Sequence, residues 1–292
     1  MSREAGPGEA HPVAVLGAGT MGRGIAPVAA MAGHEVRLFD VSPEALDAAL
    51  AQVRRNLEKG VERGKVASEV RDGALERLHP ATDPAEAARG AEVVLEAVPE
   101  DLALKRESLA AAAGHARPDA LLATNTSSLS ITAIAEAVPG PERVVGMHFF
   151  NPVHIMELVE VVRGRETSEE TVSRARALAR EMGKTPIVVR DSPGFASSRL
   201  GIALGLEAIR MVEEEVASPE DIDRAMELGY RHPMGPLRLT DLVGLDVRLA
   251  IARYLYSELG TERFRPPELL ERMVREGKLG KKTGQGFYRW DD

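Results

Sequence analysis

The sequence predicts an α/β fold with a doubly wound sheet, followed by a smaller all-helical domain. Over residues 12–190, short apolar runs alternate with segments whose apolar residues recur every three or four positions, which indicates alternating strands and helices. Beyond residue 192 nearly every segment has the helical period. We therefore predict an α/β domain over 12–190, a helical domain over 191–292 and a disordered segment over 1–11.

Composition narrows the classes of function. The chain has 292 residues, enough for two domains, and a formal net charge of −8 that argues against nucleic acid as the main partner. No apolar run is long enough to cross a membrane and the first residues do not resemble a signal peptide, so we expect a cytoplasmic protein with no membrane partner. Because the chain has no Cys and no His-x-x-x-His or clustered carboxylates, we expect neither disulfides nor a metal site.

The first predicted strand, beginning at Val13, runs into the glycine pattern G-x-G-x-x-G and then into a helix. Gly17 would let the chain turn, Gly19 would let backbone N–H groups approach a pyrophosphate, and Gly22 would let the helix pack closely on the strand. The pattern alone fits an ordinary strand-to-helix turn equally well. The cofactor-binding residues predicted in this turn are Gly17, Gly19, Thr20, Met21 and Gly22.

The second predicted strand begins near His34 and ends at Asp40, where a ribose-binding carboxylate would stand in a dinucleotide-binding fold. A carboxylate there accepts hydrogen bonds from the ribose of NAD and repels the 2′-phosphate of NADP. In the alternative interpretation, Asp40 is the N-cap of the helix that opens at Ser42-Pro43. We favour the cofactor interpretation and NAD over NADP.

The remaining elements follow in order. A helix is predicted over 43–63, and its basic side chains either form a solvated face or meet the phosphates of a large anionic substrate. A buried strand over 91–98 precedes Glu100 and a helix with Lys105, which lie either near the cofactor or only at a helix start. Further strands are predicted over 78–82, 121–124, 143–147, 155–162 and 186–189, and further helices over 68–77, 168–182, 200–215, 219–228, 239–259 and 267–275.

His148 is the candidate acid/base for a dehydrogenase. Such an enzyme needs a base for the hydroxyl proton while hydride leaves the adjacent carbon, and His exchanges protons near neutral pH. His148 follows a short strand, stands near Asn151, and precedes Glu160 in a strand that could run back past it. From spacing alone, a His between Met147 and Phe149 fits an ordinary core position slightly better than a catalytic one, and His154 is a competitor in a loop.

The residues at this point resemble the L-3-hydroxyacyl-CoA dehydrogenases, and most closely the bacterial 3-hydroxybutyryl-CoA dehydrogenases. The resemblance rests on Met147-His148-Phe-Phe-Asn151-Pro152 with Glu160 in Glu-Leu-Val-Glu-Val. It extends from the glycine turn through the segments 124–128, 192–195, 221–223 and 232–236 to 280–288, and so covers nearly the whole chain.

The resemblance implies a set of roles. It implies that His148 is the general acid/base, Glu160 its orienting partner, and Asn151 a substrate contact. Ser127 would bond the reacting oxygen and also border the cofactor, while Glu100 and Lys105 would line the nicotinamide and its ribose. The implied reaction is reversible oxidation of an (S)-3-hydroxyacyl-CoA by NAD, in homodimers joined through their helical domains, with substrate between the domains.

One departure affects the substrate pocket. Where the family has Asn in its Pro-Gly-Phe-x-x-Asn-Arg run, this chain has Ser198, whose shorter hydroxyl could shift substrate preference or lower the rate. A rival family with the same plan uses a catalytic Lys at the start of its helical domain, where this chain has Arg199. A dehydrogenase of a free hydroxy acid or sugar acid, or a catalytically weak structural relative, stays open as an alternative.

Overall fold

The computed structural model describes residues 10–290, and the chain divides into two compact units between Asp191 and Ser192. Of the segment predicted to be disordered, residues 1–9 lie outside the described residues. His11 is described, and its backbone N–H donates to His34 Nδ1 at 3.2 Å. Each unit has its own buried apolar core.

The first unit is built on one sheet of eight strands in the described part of the chain. The strands are β1 Pro12–Leu16, β2 Glu35–Phe39, β3 Leu78–Ala81, β4 Val93–Glu96, β5 Leu121–Thr124, β6 Val144–Phe149, β7 Leu158–Arg163 and β8 Thr185–Arg190. Their order across the sheet is β3-β2-β1-β4-β5-β6-β7-β8, and neighbouring strands are parallel except for the antiparallel pair β6 and β7. The crossover between β1 and β4 is the switch point at which ligands bind in such sheets.

Helices connect these strands, as expected for a doubly wound sheet. They are α1 Gly22–Met31, α2 Pro43–Glu62, α3 Ser68–Glu76, α4 Pro84–Ala88, α5 Leu102–Ala113, α6 Ile131–Ala135 and α7 Glu169–Glu181, with a 3₁₀ turn at Pro141–Arg143. A Ser or Asp side chain caps most of them by accepting a backbone N–H three residues later, as Ser42 does for α2 and Asp101 for α5. The predicted α/β class and doubly wound sheet are confirmed.

The second unit is helical. Its elements are α8 Ser197–Glu213, α9 Pro219–Arg224, a π-helical segment Ala225–Gly229, α10 Pro236–Val243, α11 Leu245–Leu259, a 3₁₀ turn Glu262–Phe264, α12 Glu268–Arg275 and a 3₁₀ turn Lys281–Thr283. The prediction of one helix over 239–259 was wrong, because Gly244 adopts φ +102° and separates α10 from α11. Within residues 10–290 no helix combines the length and apolar character that a bilayer span requires.

Two strand boundaries differ from expectation near the candidate site. His148 lies inside β6 rather than after it, and Ile155 and Met156 precede β7. β6 is buried along its whole length, so the imidazole is held by a strand of the sheet and is only 7% exposed. The prediction that the strand with Glu160 runs back past His148 is confirmed, because β7 is antiparallel to β6.

Candidate active site

The backbone geometry of the glycine turn requires glycine at two of its three glycine positions, Gly17 and Gly22. Gly17 adopts φ +96°, and a Cβ there would lie 2.7 Å from the carbonyl oxygen of Ala97. A Cβ on Gly22 would lie 1.7 Å from the oxygen of Gly17, so only glycine lets α1 pack this closely on the turn. Gly19 has open space beside it. No side chain caps α1 at Met21 and its first turn contains no acidic residue, so no side chain competes with an anion at this end of the helix.

A cavity of about 530 Å³ opens beside this turn, at the carboxyl ends of the parallel strands. The predicted site residues that line it are Gly17, Gly19, Thr20, Met21, Asp40, Glu100, Ser127, His148 and Asn151. Three predicted site residues lie outside the lining: Gly22, Lys105 and Glu160. Each is next to a residue that lines the cavity, namely Gly17, Glu100 and His148 respectively. The turn, the uncapped helix and the cavity together fit a dinucleotide with its pyrophosphate at the start of α1.

Asp40 follows β2 and is held by two backbone amides. Its Oδ2 accepts the N–H of Ala18 at 2.8 Å and its Oδ1 accepts the N–H of Ser42 at 3.0 Å. The N-cap of α2 is Ser42, whose hydroxyl accepts the N–H of Ala45, so the interpretation of Asp40 as that N-cap was wrong. The carboxylate instead borders the cavity beside the glycine turn.

Glu100 joins the ends of β4 and β5. Its Oε1 accepts hydrogen bonds from Thr126 Oγ1 at 2.6 Å, from the N–H and hydroxyl of Ser127 at 3.0 and 3.2 Å, and from the Ser128 hydroxyl at 3.2 Å. Burial alone would raise the pKa of Glu100, but the Thr126 hydrogen bond, the charge of Lys105 and the Ser127 hydrogen bonds together lower it. The ionised carboxylate therefore fixes the position of Ser127 at the cavity wall.

Beneath Glu100 lies a buried ion pair that sequence reasoning missed. Lys105 and Glu96 are both 0% exposed, and Lys105 Nζ lies 2.9 Å from Glu96 Oε1 and 3.5 Å from Glu100 Oε2. Glu96 Oε2 also accepts the hydroxyl of Thr124 at 2.6 Å, and burial raises the pKa of Glu96 against these contacts. The signal was a charged residue at the end of the apolar run Val93–Glu96.

His148 and Glu160 are register partners across β6 and β7. His148 Nδ1 lies 2.7 Å from Glu160 Oε2, and Glu160 is 0% exposed. The ring of His148 also packs on Phe150, with the ring centroids 4.4 Å apart. The pairing places an acid behind the imidazole while the imidazole borders the cavity.

Asn125 is a second residue that the prediction did not single out. Its side-chain Oδ1 accepts the N–H of Phe149 at 2.9 Å, and its backbone oxygen accepts from Lys105 Nζ at 3.4 Å. It therefore ties the end of β5 to the residue that follows His148. Asn151 lies exposed just beyond β6 at the rim of the same cavity. The signal for Asn125 was its position between Thr124 and Thr126 at a strand end.

A second cavity of about 710 Å³ lies between α1, α2 and the turn that follows α2. The basic side chains that line it are Arg23, Lys59, Arg63, Lys65 and His154. Arg23, Lys59, Arg63 and Lys65 are exposed, and none of the four forms an ion pair with another residue of the described range. His154, the competitor for the acid/base role, belongs to this cavity rather than to the first one.

Ser198 lies in the second unit, in the first turn of α8, and is half-buried. Among residues 10–290 no group of three or more His, Asp or Glu side chains is arranged to hold a metal ion.

Comparison with known proteins gives one consistent answer. The family model described as the NAD-binding domain of 3-hydroxyacyl-CoA dehydrogenase matches residues 12–192, and the model of that family's C-terminal domain matches residues 194–290. A probable 3-hydroxybutyryl-CoA dehydrogenase of Bacillus subtilis is 46% identical over 284 residues, which cover 97% of this chain and 99% of that protein. A 3-hydroxyadipyl-CoA dehydrogenase of Escherichia coli is also 46% identical, over 95% of this chain and 58% of that protein.

Solved structures agree with the sequence matches. The crystal structure of (S)-3-hydroxybutyryl-CoA dehydrogenase from Ralstonia eutropha superposes with a TM-score of 0.92 at 40% identity, covering 96% of this chain and 99% of that chain.

Proposed function

The chain belongs to the 3-hydroxyacyl-CoA dehydrogenase family, and from that premise we propose that His148 and Glu160 are the acid/base pair with which it interconverts a 3-hydroxyacyl-CoA and the 3-oxoacyl-CoA. The chain is an NAD-dependent oxidoreductase of this family. The observation that supports the proposed pair most strongly is the 2.7 Å contact of His148 Nδ1 with Glu160 Oε2 beside the dinucleotide cavity.

In the proposed reaction, His148 takes the proton of the substrate 3-hydroxyl through Nε2. Glu160 accepts a hydrogen bond from Nδ1–H, which leaves Nε2 free of a proton before the reaction and stabilises the imidazolium that forms. NAD bound in the first cavity would supply the acceptor for the hydride of the carbon that bears this hydroxyl. Ser127 and Asn151 hold the reacting oxygen and the acyl group beside the imidazole. In the reverse direction His148 returns the proton.

The first cavity supplies the proposed cofactor contacts. The N–H groups of Gly19, Thr20 and Met21 at the start of α1 would bind the pyrophosphate, because the helix dipole and unpaired donors favour an anion there. Asp40 would accept hydrogen bonds from the adenosine ribose. Glu100 and Ser127 would border the nicotinamide end. Lys105 would act through Glu100, since its own ammonium is fully buried.

The second cavity supports a CoA ester over a free hydroxy acid. Lys59, Arg63 and Lys65 are exposed cations on its wall, and the phosphates of CoA are the groups that such cations bind. The substrate proposed from the family resemblance and from the named relatives is 3-hydroxybutyryl-CoA. A free hydroxy acid or sugar acid has no phosphate to place on this basic wall.

We also propose a homodimer joined through the second unit. Leu200 on α8, Leu242 on α10 and Val247 on α11 are 71%, 41% and 41% exposed, and these three helices pack against one another. Exposed apolar side chains on packed helices are typical of a subunit interface. The cytoplasmic location expected from the sequence stays a prediction.

The first test is NADH consumption on adding acetoacetyl-CoA to the purified protein, beside acetoacetate without CoA. We expect turnover only with the CoA ester. His148→Gln should lose activity by about 10²-fold or more while still binding NADH, because proton transfer is lost and the cavity is kept. His79→Gln, at an exposed His on β3, is the matched control and should keep full activity. Equal turnover in His148→Gln would remove His148 from the mechanism.

A further inference from the structure

The hydroxyl of Thr126, just beyond β5, has a partner for its hydrogen and for each of its lone pairs. Thr126 is only 1% exposed. Its Oγ1 accepts the backbone N–H of Leu129 at 2.9 Å and that of Ser128 at 3.3 Å. Because both lone pairs face donors, the single hydrogen of the hydroxyl goes to Glu100 Oε1, which lies 2.6 Å away. Thr126 therefore fixes both the turn that carries Ser127 and one lone pair of Glu100.

More donors point at Glu100 Oε1 than this oxygen can accept. A carboxylate oxygen offers two lone pairs, and four donors lie within 3.2 Å of this one. The two shortest contacts come from the Thr126 hydroxyl at 2.6 Å and the Ser127 N–H at 3.0 Å, and these two fill the lone pairs. The hydroxyls of Ser127 and Ser128, each at 3.2 Å, are therefore in excess.

Only one of these two hydroxyls borders the first cavity. Ser127 lines that cavity together with His148, and Ser128 does not. A Ser127 hydroxyl that Glu100 does not hold can turn its hydrogen towards an oxygen in the cavity. The reacting oxygen of the substrate gains negative charge during hydride transfer, and a hydroxyl hydrogen directed at it stabilises that charge.

We propose that Thr126 is a positioning residue for Ser127: by occupying Glu100, the Thr126 hydroxyl leaves the Ser127 hydroxyl free to donate to the reacting oxygen of the substrate. Without the Thr126 hydroxyl, the vacated lone pair of Glu100 would bind the Ser127 hydroxyl and withdraw it from the substrate. The inference rests on the proposed function, in which Ser127 contacts the reacting oxygen. It assigns a role in the reaction to a buried threonine that does not line the first cavity.

The test measures the single-turnover rate of NADH oxidation by acetoacetyl-CoA, because this rate reports hydride transfer and not product release. Thr126→Val keeps the shape of the side chain and removes the hydroxyl. We expect it to lower the rate by roughly tenfold, which corresponds to the loss of one hydrogen bond. Thr126→Ser keeps the hydroxyl and should keep most of the rate.

A double-variant cycle shows whether Thr126 acts through Ser127. Ser127→Ala alone should lower the rate by about 100-fold, the cost of removing one donor to a developing oxyanion. Thr126→Val should then have no further effect, because no Ser127 hydroxyl remains to be withdrawn. A purely structural role would instead lower the rate by the same factor in both backgrounds.

Two further variants complete the test. Ser128→Ala removes the competing hydroxyl, so Thr126→Val should lower the rate at least as much in that background as in the unmodified protein. Thr171→Val is the matched control: Thr171 lies on α7, is 5% exposed, does not line the first cavity, and its hydroxyl donates to the backbone oxygen of Glu142 at 2.7 Å. This control removes a buried threonine hydrogen bond and should keep the rate.

The inference is overturned if folded Thr126→Val keeps the rate, if Thr126→Ser is as slow as Thr126→Val, or if the effects of Thr126→Val and Ser127→Ala multiply. A smaller effect of Thr126→Val in the Ser128→Ala background would also overturn it, because Thr126 would then act through Ser128. Thr126→Ala removes the same hydroxyl with less bulk and carries the same expectations if Thr126→Val does not fold.

Failure of the inference can be told from failure of the proposed function. A slow Ser127→Ala beside an unaffected Thr126→Val contradicts the inference alone. A full rate in Ser127→Ala contradicts both the inference and the contact proposed for Ser127. Absence of acetoacetyl-CoA turnover in the unmodified protein contradicts the proposed function itself.

Discussion

Lys105 Nζ lies 2.9 Å from Glu96 Oε1, and neither side chain is exposed. Lys105 also donates to the backbone oxygens of Val98 and Asn125 at 3.2 and 3.4 Å. One ammonium therefore joins the ends of β4 and β5 to the start of α5. Because Glu100 is also within 3.5 Å, the position of the cavity wall depends on a residue that does not reach the cavity.

Lys105→Met should lower the free energy of unfolding by about 3–5 kcal/mol, because it leaves the carboxylate of Glu96 buried without its cation. Chemical denaturation measures this change. The double variant Glu96→Gln with Lys105→Met should recover part of the loss, since no charge is then buried. Lys65→Met, at an exposed lysine, is the control. A loss below about 0.5 kcal/mol would show that the pair does not contribute to stability.

Glu160→Gln should reduce kcat by about 10²-fold to 10⁴-fold, because a neutral amide neither stabilises the imidazolium nor selects the tautomer of His148. The affinity for NADH should stay unchanged, since Glu160 lies behind His148 and not on the cavity wall. Steady-state kinetics and a fluorescence titration with NADH give the two values. A parallel loss of kcat and NADH binding would indicate a structural role instead.

Asp40→Ala should weaken the binding of NADH and reduce discrimination against NADPH, because the carboxylate that would repel a 2′-phosphate is removed. We expect the ratio of kcat/KM for NADH to kcat/KM for NADPH to fall by about tenfold or more. This fold-change corresponds to the free energy of one hydrogen bond to a charged group. Asp47→Ala, at an exposed position on α2, should leave the ratio unchanged. An unchanged ratio in Asp40→Ala would restrict Asp40 to holding the amides of Ala18 and Ser42.

The double variant Lys59→Ala with Arg63→Ala should raise KM for acetoacetyl-CoA by about tenfold at low salt, and by less at high salt, because screening weakens charge contacts at an exposed wall. KM for NADH should not change. The matched control is Arg54→Ala with Arg55→Ala, which removes two exposed charges from the same helix outside the cavity. Equal effects of the two double variants would point to net charge rather than to this site.

Much of the fold was predictable because it depends on local patterns. Apolar runs bounded by turn residues mark the strands, and the Ser and Asp caps mark the helix starts. The position of Asp40 at a strand end made it a candidate, and the family resemblance implied roles for His148 and Glu160, before the contact between His148 and Glu160 was visible. The confirmed parts are the α/β class, the family and the NAD cofactor.

What could not be predicted depends on contacts between distant segments. The pairing of Lys105 with Glu96 depends on how α5 packs on β4, and no local pattern reports that. Gly244 breaks a helix whose apolar period continues across it, so periodicity joined α10 to α11.

The antiparallel pairing of β6 with β7 has a consequence for protein engineering. His148 and Glu160 meet through strand register, and the segment between the strands does not set their separation. A shift of one residue in that register would send the two side chains to opposite faces of the sheet. The part of the connecting loop over 154–157 can therefore be lengthened or exchanged to redesign substrate access, provided that Phe150, Asn151 and the ladder on either side of the loop are kept intact.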